Sequence, residues 1–318
     1  VASFLHHLAL AAPLFLLVLL GYLLALWGGW TRAVSDALGR FVFGVALPAL
    51  LFRLMSDLSQ LPPVDARLLI AFFGGCLIVF VLGRLLGAFV FRLDGVAQSV
   101  FALGGVFSNN VLLGVPLAKL TLGEAAMPTV ALVLVFNALV LWTLVTVSVE
   151  WARHGAFSLA GLGKTTRSVL TNPIVAGILS GAAFGLTGWR LPGVIDEPLR
   201  LIGQAAAPLA LVVVGMGLAQ YGVRAGWREG AAISVLKLVV LPLVVWLLAR
   251  ALGLAIVETQ AVVLLAALAV GVNVYLMAQQ FETMEAPVAT SMVLTTALAA
   301  LTVPLALSLL GVAPAAGP

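Results

Sequence analysis

The chain has 318 residues, 63% hydrophobic and 9% charged, with a mean hydropathy of +1.21 and a formal net charge of +4. Soluble domains carry about 25% charge and roughly 45–50% apolar residues, so this chain lacks the polar surface of a soluble enzyme. Ten membrane helices of about 20 residues need roughly 200 residues and leave room only for short loops.

Apolar stretches bounded by Gly, Pro and charge predict ten spans in chain order, over 8–28, 37–56, 66–88, 97–120, 126–149, 170–189, 198–220, 229–250, 258–281 and 286–310. The chain opens on Val1 rather than Met, which reads as N-terminal trimming, and Leu8–Leu26 is too long for a signal-peptide core. Cys76 is the single cysteine and lies in an apolar run, which excludes an intrachain disulfide framework.

The longest connection, about 150–169, divides the chain nearly in half, and a repeat appears at a shift of 160 residues. Pro13, Gly21, Gly28, Asp36, Arg40 and Pro48 recur as Pro173, Gly181, Gly188, Asp196, Arg200 and Pro208. Chance matches of Leu or Ala carry no weight here, whereas Pro, Asp and Arg are scarce. Five spans per half reverse the orientation, giving two inverted repeats, 1–150 and 170–318, joined by 151–169. Loops 1–2, 3–4, 5–6, 7–8 and 9–10 together hold nine Lys/Arg against six on the other side. This places them, and the central loop, in the cytoplasm of a bacterial inner-membrane protein, with both termini outside. The positive charge then faces anionic lipid headgroups, and no nucleic-acid partner is expected.

Polar residues inside hydrocarbon carry the functional information, because an unsatisfied polar group there costs several kcal/mol. Span four contains Gly104-Gly105-Val106-Phe107-Ser108-Asn109-Asn110, followed by Gly114-Val115-Pro116. That composition predicts an interrupted helix, as does Gly271-Val272-Asn273-Val274-Tyr275 at the matching depth of span nine. Unwound segments there would expose carbonyls and half-helix N-termini suited to an anion, with Asn109, Asn110 and Asn273 orienting it and Tyr275 shaping the pocket. The alternative role for these asparagines is interhelical hydrogen bonding. Lys237, within span eight before Pro242, either attracts a carboxylate, carries a proton, or snorkels to the membrane surface. Asn137 and Gln204 are secondary polar candidates with structural hydrogen bonding as the expected role. Gly177, Gly181 and Gly185 predict close helix packing, within the chain or across a homodimer interface.

Gly161-Leu162-Gly163-Lys164-Thr165 ends like a phosphate loop, yet Ser158 stands where the first Gly is required and no strand precedes it. HExxH and GxSxG patterns are absent, and the histidines lie near ends or loops. No enzyme activity, metal site or cofactor is expected. Coupling to H+, to Na+, or to neither stays open, since no Asp or Glu lies securely mid-span.

Pro13–Leu24 (PLFLLVLLGYLL), Val45–Phe52 (VALPALLF) and Ser108–Leu117 (SNNVLLGVPL) together resemble the auxin efflux carrier family, and the likeness covers nearly the whole chain. The resemblance implies helices 4 and 9 broken and crossing, a scaffold of spans 1, 2, 6 and 7, and a mobile transport domain of spans 3–5 and 8–10. Asn109 and Asn273 match family asparagines, while Ser108 and Val274 stand where plant carriers place the crossing prolines. The implied function is secondary transport of small organic anions, auxin-like or mono- and dicarboxylate, by elevator-type alternating access. A sodium-coupled bile-acid-type symporter and a non-transporting membrane sensor or scaffold are the alternatives.

Overall fold

A computed structural model describes residues 2–56, 65–154, 173–220 and 226–312, and the regular structure among them is helical apart from one isolated bridge. The first half contains α1 (Ala2–Leu26), α2 (Arg32–Phe41), α3 (Leu47–Ser56), α4 (Arg67–Phe89), α5 (Gly95–Gly104), α6 (Val115–Leu122) and α7 (Met127–His154). The second contains α8 (Pro173–Leu186), α9 (Gly193–Gln220), α10 (Trp227–Val235), α11 (Leu241–Ala251), α12 (Ile256–Ala266), α13 (Val272–Gln280) and α14 (Glu285–Leu309). Much of the central connection, including the phosphate-loop-like segment, lies outside the described residues.

Five helical stretches among the described residues are long and apolar enough to cross a membrane: Arg32–Arg53, Arg67–Phe89, Gly193–Ala219, Trp227–Ala251 and Glu285–Leu309. Their outward faces are as apolar as the core. On α4, Ile70, Leu77, Ile78, Val81, Leu82 and Leu85 are exposed, while the buried face carries Leu68, Ala71, Phe72, Gly75, Cys76, Val79, Phe80 and Gly83. Large aliphatic side chains turned outward suit lipid as solvent, because lipid tails take them as readily as a core does, while Gly75 and Gly83 let Val245 and Ala102 approach closely.

Three π-helical turns follow one local rule. Val42–Ala46, Asn110–Gly114 and Leu236–Val240 are each followed, two residues later, by a proline: Pro48, Pro116 and Pro242. A helical proline lacks an N–H and its ring clashes with the carbonyl four residues back. That carbonyl belongs to the middle residue of each π turn, Gly44, Leu112 or Leu238, where the widened register makes room. Pro13, Pro198, Pro208 and Pro304 sit inside helices without such a turn.

The tightest packing is between α1 and α9 and between α3 and α8. Gly177, Gly181 and Gly185 face the backbone of Pro48, Phe52 and Met55, and a Cβ on Gly181 would lie 2.4 Å from the Phe52 carbonyl oxygen. The glycine row is therefore filled within the chain, by α3. Arg53 on α3 also donates from Nε and Nη2 to Asp196 on α9, at 2.6 and 3.2 Å.

Candidate functional site

The stretches 97–120 and 258–281, each expected from the sequence as one span, are both interrupted, and the interruptions satisfy each other. The α5 helix ends at Gly104 and helical structure resumes at Asn110; α12 ends at Ala266 and α13 begins at Val272. Between them Ser108 and Val270 form an antiparallel bridge. The Asn109 N–H donates to the Ala269 carbonyl and the Gly271 N–H to the Phe107 carbonyl, both at 2.9 Å. Thr295 of α14 accepts from the Val270 N–H through Oγ1 at 3.0 Å. A lone unwound helix would leave these groups unpaired in hydrocarbon, which explains why the two breaks occur as a pair. Gly271 permits the approach: a Cβ there would meet the Phe107 ring at 3.0 Å and the Ser108 carbonyl oxygen at 3.1 Å.

This placement corrects three expected break positions. Val274 is buried inside α13 and Val270 faces Ser108 instead. Gly114 and Pro116 follow the break rather than make it, since Gly114 ends the π turn that resumes the helix and Pro116 lies beyond it in α6, its ring accommodated by the widened turn.

Ser108, Asn109 and Asn110 are all buried at the crossing. Asn110 Nδ2 donates to Asn137 Oδ1 at 3.2 Å, joining a principal candidate to a secondary one. Ser108 Oγ and Asn110 Oδ1 are buried without a hydrogen-bond partner. Asn273 and Tyr275 are half-buried in the first turn of α13. Two half-helix N-termini and two C-termini thus converge on one locus, each carrying a partial charge of about half an elementary unit.

Lys237 sits in the third π turn and is fully buried. Its Nζ donates to the Ala266 carbonyl at 2.5 Å, at the C-terminal, electronegative end of α12. The long side chain runs into the protein, not out to the membrane surface. Gln204 lies exposed on α9 and takes no part in this cluster.

A cavity of about 440 Å³ lies among α2, α9, α13 and α14. Arg32, Asp36 and Arg40 line one wall, Val272, Tyr275 and Gln279 another. Tyr275 is the only one of these singled out from the sequence. Arg32, Asp36 and Arg40 fall before or at the start of the stretch 37–56 expected as a span, and their spacing of four residues places them on one helical face. Among the described residues no group of three or more His, Cys, Asp or Glu is placed to hold a metal ion.

The chain is 29% identical over 298 residues to the "Putative malonate transporter" of Rhizobium meliloti, covering 92% of each protein. It is 26% identical over 234 residues to an "Uncharacterized transporter" of Methanocaldococcus jannaschii, covering 71% of this chain and 74% of that protein. The family model for membrane transport proteins matches residues 7–307. The chain therefore belongs to the membrane transport protein family, the auxin efflux carrier family that its motifs resemble.

Proposed function

We propose that this membrane transporter is a secondary carrier of small organic anions, with substrate bound beside the crossing of the two broken helices. The observation that carries the reading is the pair of interrupted helices held together by the Ser108–Val270 bridge, next to a cavity with one arginine-bearing wall. Dipole ends and unpaired side-chain oxygens gathered in a buried, protein-lined place are costly in lipid unless a ligand uses them. The α13 N-terminus would receive a carboxylate, and Asn109, Asn110 and Asn273 would orient it.

The ten spans form two inverted five-helix halves in this proposal. Packing supports it: α1 on α9 and α8 on α3 are the same contact after exchange of halves, span 1 with span 7 and span 6 with span 2. Spans 1, 2, 6 and 7 serve as the scaffold and spans 3–5 and 8–10 as the moving domain. The cavity lies between these groups, where an elevator-like displacement carries a bound anion from one face to the other.

Lys237 favours sodium-independent transport over a bile-acid-type symport. Its ammonium already sits on the electronegative end of α12, a place where a coupling cation could otherwise bind. The name borne by the Rhizobium relative makes malonate the first substrate to test. The experiment is tracer uptake into proteoliposomes with malonate and indole acetate, varying sodium and pH separately. Saturable uptake that ignores sodium supports the proposal. A protein that moves nothing under any gradient is a sensor or scaffold, and strictly sodium-dependent uptake identifies a symporter.

A further inference from the structure

We propose that Arg32 and Arg40 are charge-selecting residues that give the carrier its preference for anions with two carboxylates over anions with one. The inference rests on the transport reading and adds to it the class of substrate.

Both side chains line the cavity from the same face of α2, eight residues apart, which spans about 12 Å along the helix axis. Four other arginines are held by side-chain partners, while Arg92, Arg190 and Arg250 have no ion pair or side-chain hydrogen bond among the described residues and do not line the cavity. Arg53 is paired with Asp196, Arg67 with Asp65, and Arg200 with Glu197. Arg84 is held by Ser99, Ser148 and Gln98. Arg32 and Arg40 have no ion pair and no side-chain hydrogen bond among the described residues, although Asp36 lies one turn from each. Two guanidiniums facing an open volume, each able to fork onto a carboxylate, form a receptor for two anionic groups.

The opposite wall fits the same ligand. Tyr275 and Gln279 lie one turn apart on α13 and supply hydrogen-bonding groups that add no formal charge. Asp36 leaves the wall of α2 with a net charge of +1, so it does not act as a general sink for anions. Asp36 competes for either guanidinium when the cavity holds a monoanion, which occupies only one of them. A dianion engages both at once and displaces that competition. The preference comes from the second carboxylate, and its size is that of one added charge-assisted hydrogen-bond pair, about tenfold or more in apparent affinity.

A second account of these residues is that they are loop charges fixing membrane orientation. Arg40→Lys separates the two, since it keeps the positive charge and loses the fork. The experiment measures inhibition of tracer malonate uptake by unlabelled malonate and by propionate, which has the same carbon count and one carboxylate. Wild type, Arg32→Gln, Arg40→Gln and Arg40→Lys are compared in proteoliposomes, with thermal unfolding as the check on folding. The expected result is that malonate inhibits wild type at concentrations lower by about tenfold or more than propionate, a gap that shrinks to about threefold or less in all three variants. A gap that persists in folded Arg40→Lys and Arg32→Gln overturns the inference, as does a wild type that treats the two acids alike. Either result leaves the carrier reading standing. A wild type that moves no organic anion removes both.

Discussion

At the scale of single residues, Lys237 is the sharpest feature. Burying an ammonium inside a membrane protein is costly, and Lys237→Met removes that cost at the expense of one hydrogen bond to the Ala266 carbonyl. If Lys237 only held helices together, Lys237→Met would leave function intact. The expected outcome is a fall in uptake of about tenfold or more with an unfolding temperature in detergent equal to or above wild type. Asn110 and Asn137 present the opposite case, a neutral pair whose bond is directly visible. A double-mutant cycle on thermal stability with Asn110→Ala and Asn137→Ala should return a coupling of about 0.5–1.5 kcal/mol. Zero coupling would mean that the bond contributes nothing to holding Asn110 in place.

At the scale of elements, proline chemistry and the broken helices set the geometry. Pro242 accompanies the π turn that contains Lys237. Pro242→Ala removes the clash with the Leu238 carbonyl and permits an ordinary α register. Each residue lost from the widened turn rotates the following side chains by roughly 100°, so the contact between Lys237 and the Ala266 carbonyl is disturbed. Uptake should fall as it does for Lys237→Met, while stability rises or holds. Gly271→Ala presses a methyl group against Phe107 and the Ser108 carbonyl, with an expected loss of about 1–3 kcal/mol in thermal or denaturant unfolding. The elements themselves were largely legible: apolar runs mark the helices, and Gly104-Gly105 marks the end of α5. The exact crossing was not. Pro116 reads as a breaker, yet the π turn before it makes room for its ring within a continuing helix, so the break lies upstream. Val274 was selected by motif matching alone, whereas backbone pairing, which a one-dimensional reading cannot display, selects Val270. The arginine wall was missed for a related reason. Hydropathy assigns a charge at the edge of an apolar run to a loop, but α2 begins at Arg32 and carries Arg40 within the helix.

At the scale of the whole molecule, the cavity lies among α2, α9, α13 and α14, and the proposed transport cycle would open and close it. Cys76 is buried, so a cysteine introduced at Gln279 would be the reactive thiol in the cavity. A water-soluble maleimide should label Gln279→Cys, and malonate should slow the labelling; unchanged labelling at saturating malonate would show that the anion does not occupy this cavity. The central claim, that an organic anion is carried at the crossing of the broken helices, meets its most direct test in tracer malonate exchange by purified protein in liposomes. Wild type, Asn110→Ala and Asn273→Ala are compared at matched incorporation and matched unfolding temperature. The account predicts robust exchange by wild type and a loss of about tenfold or more in each variant. Exchange by both variants at the wild-type rate would contradict it.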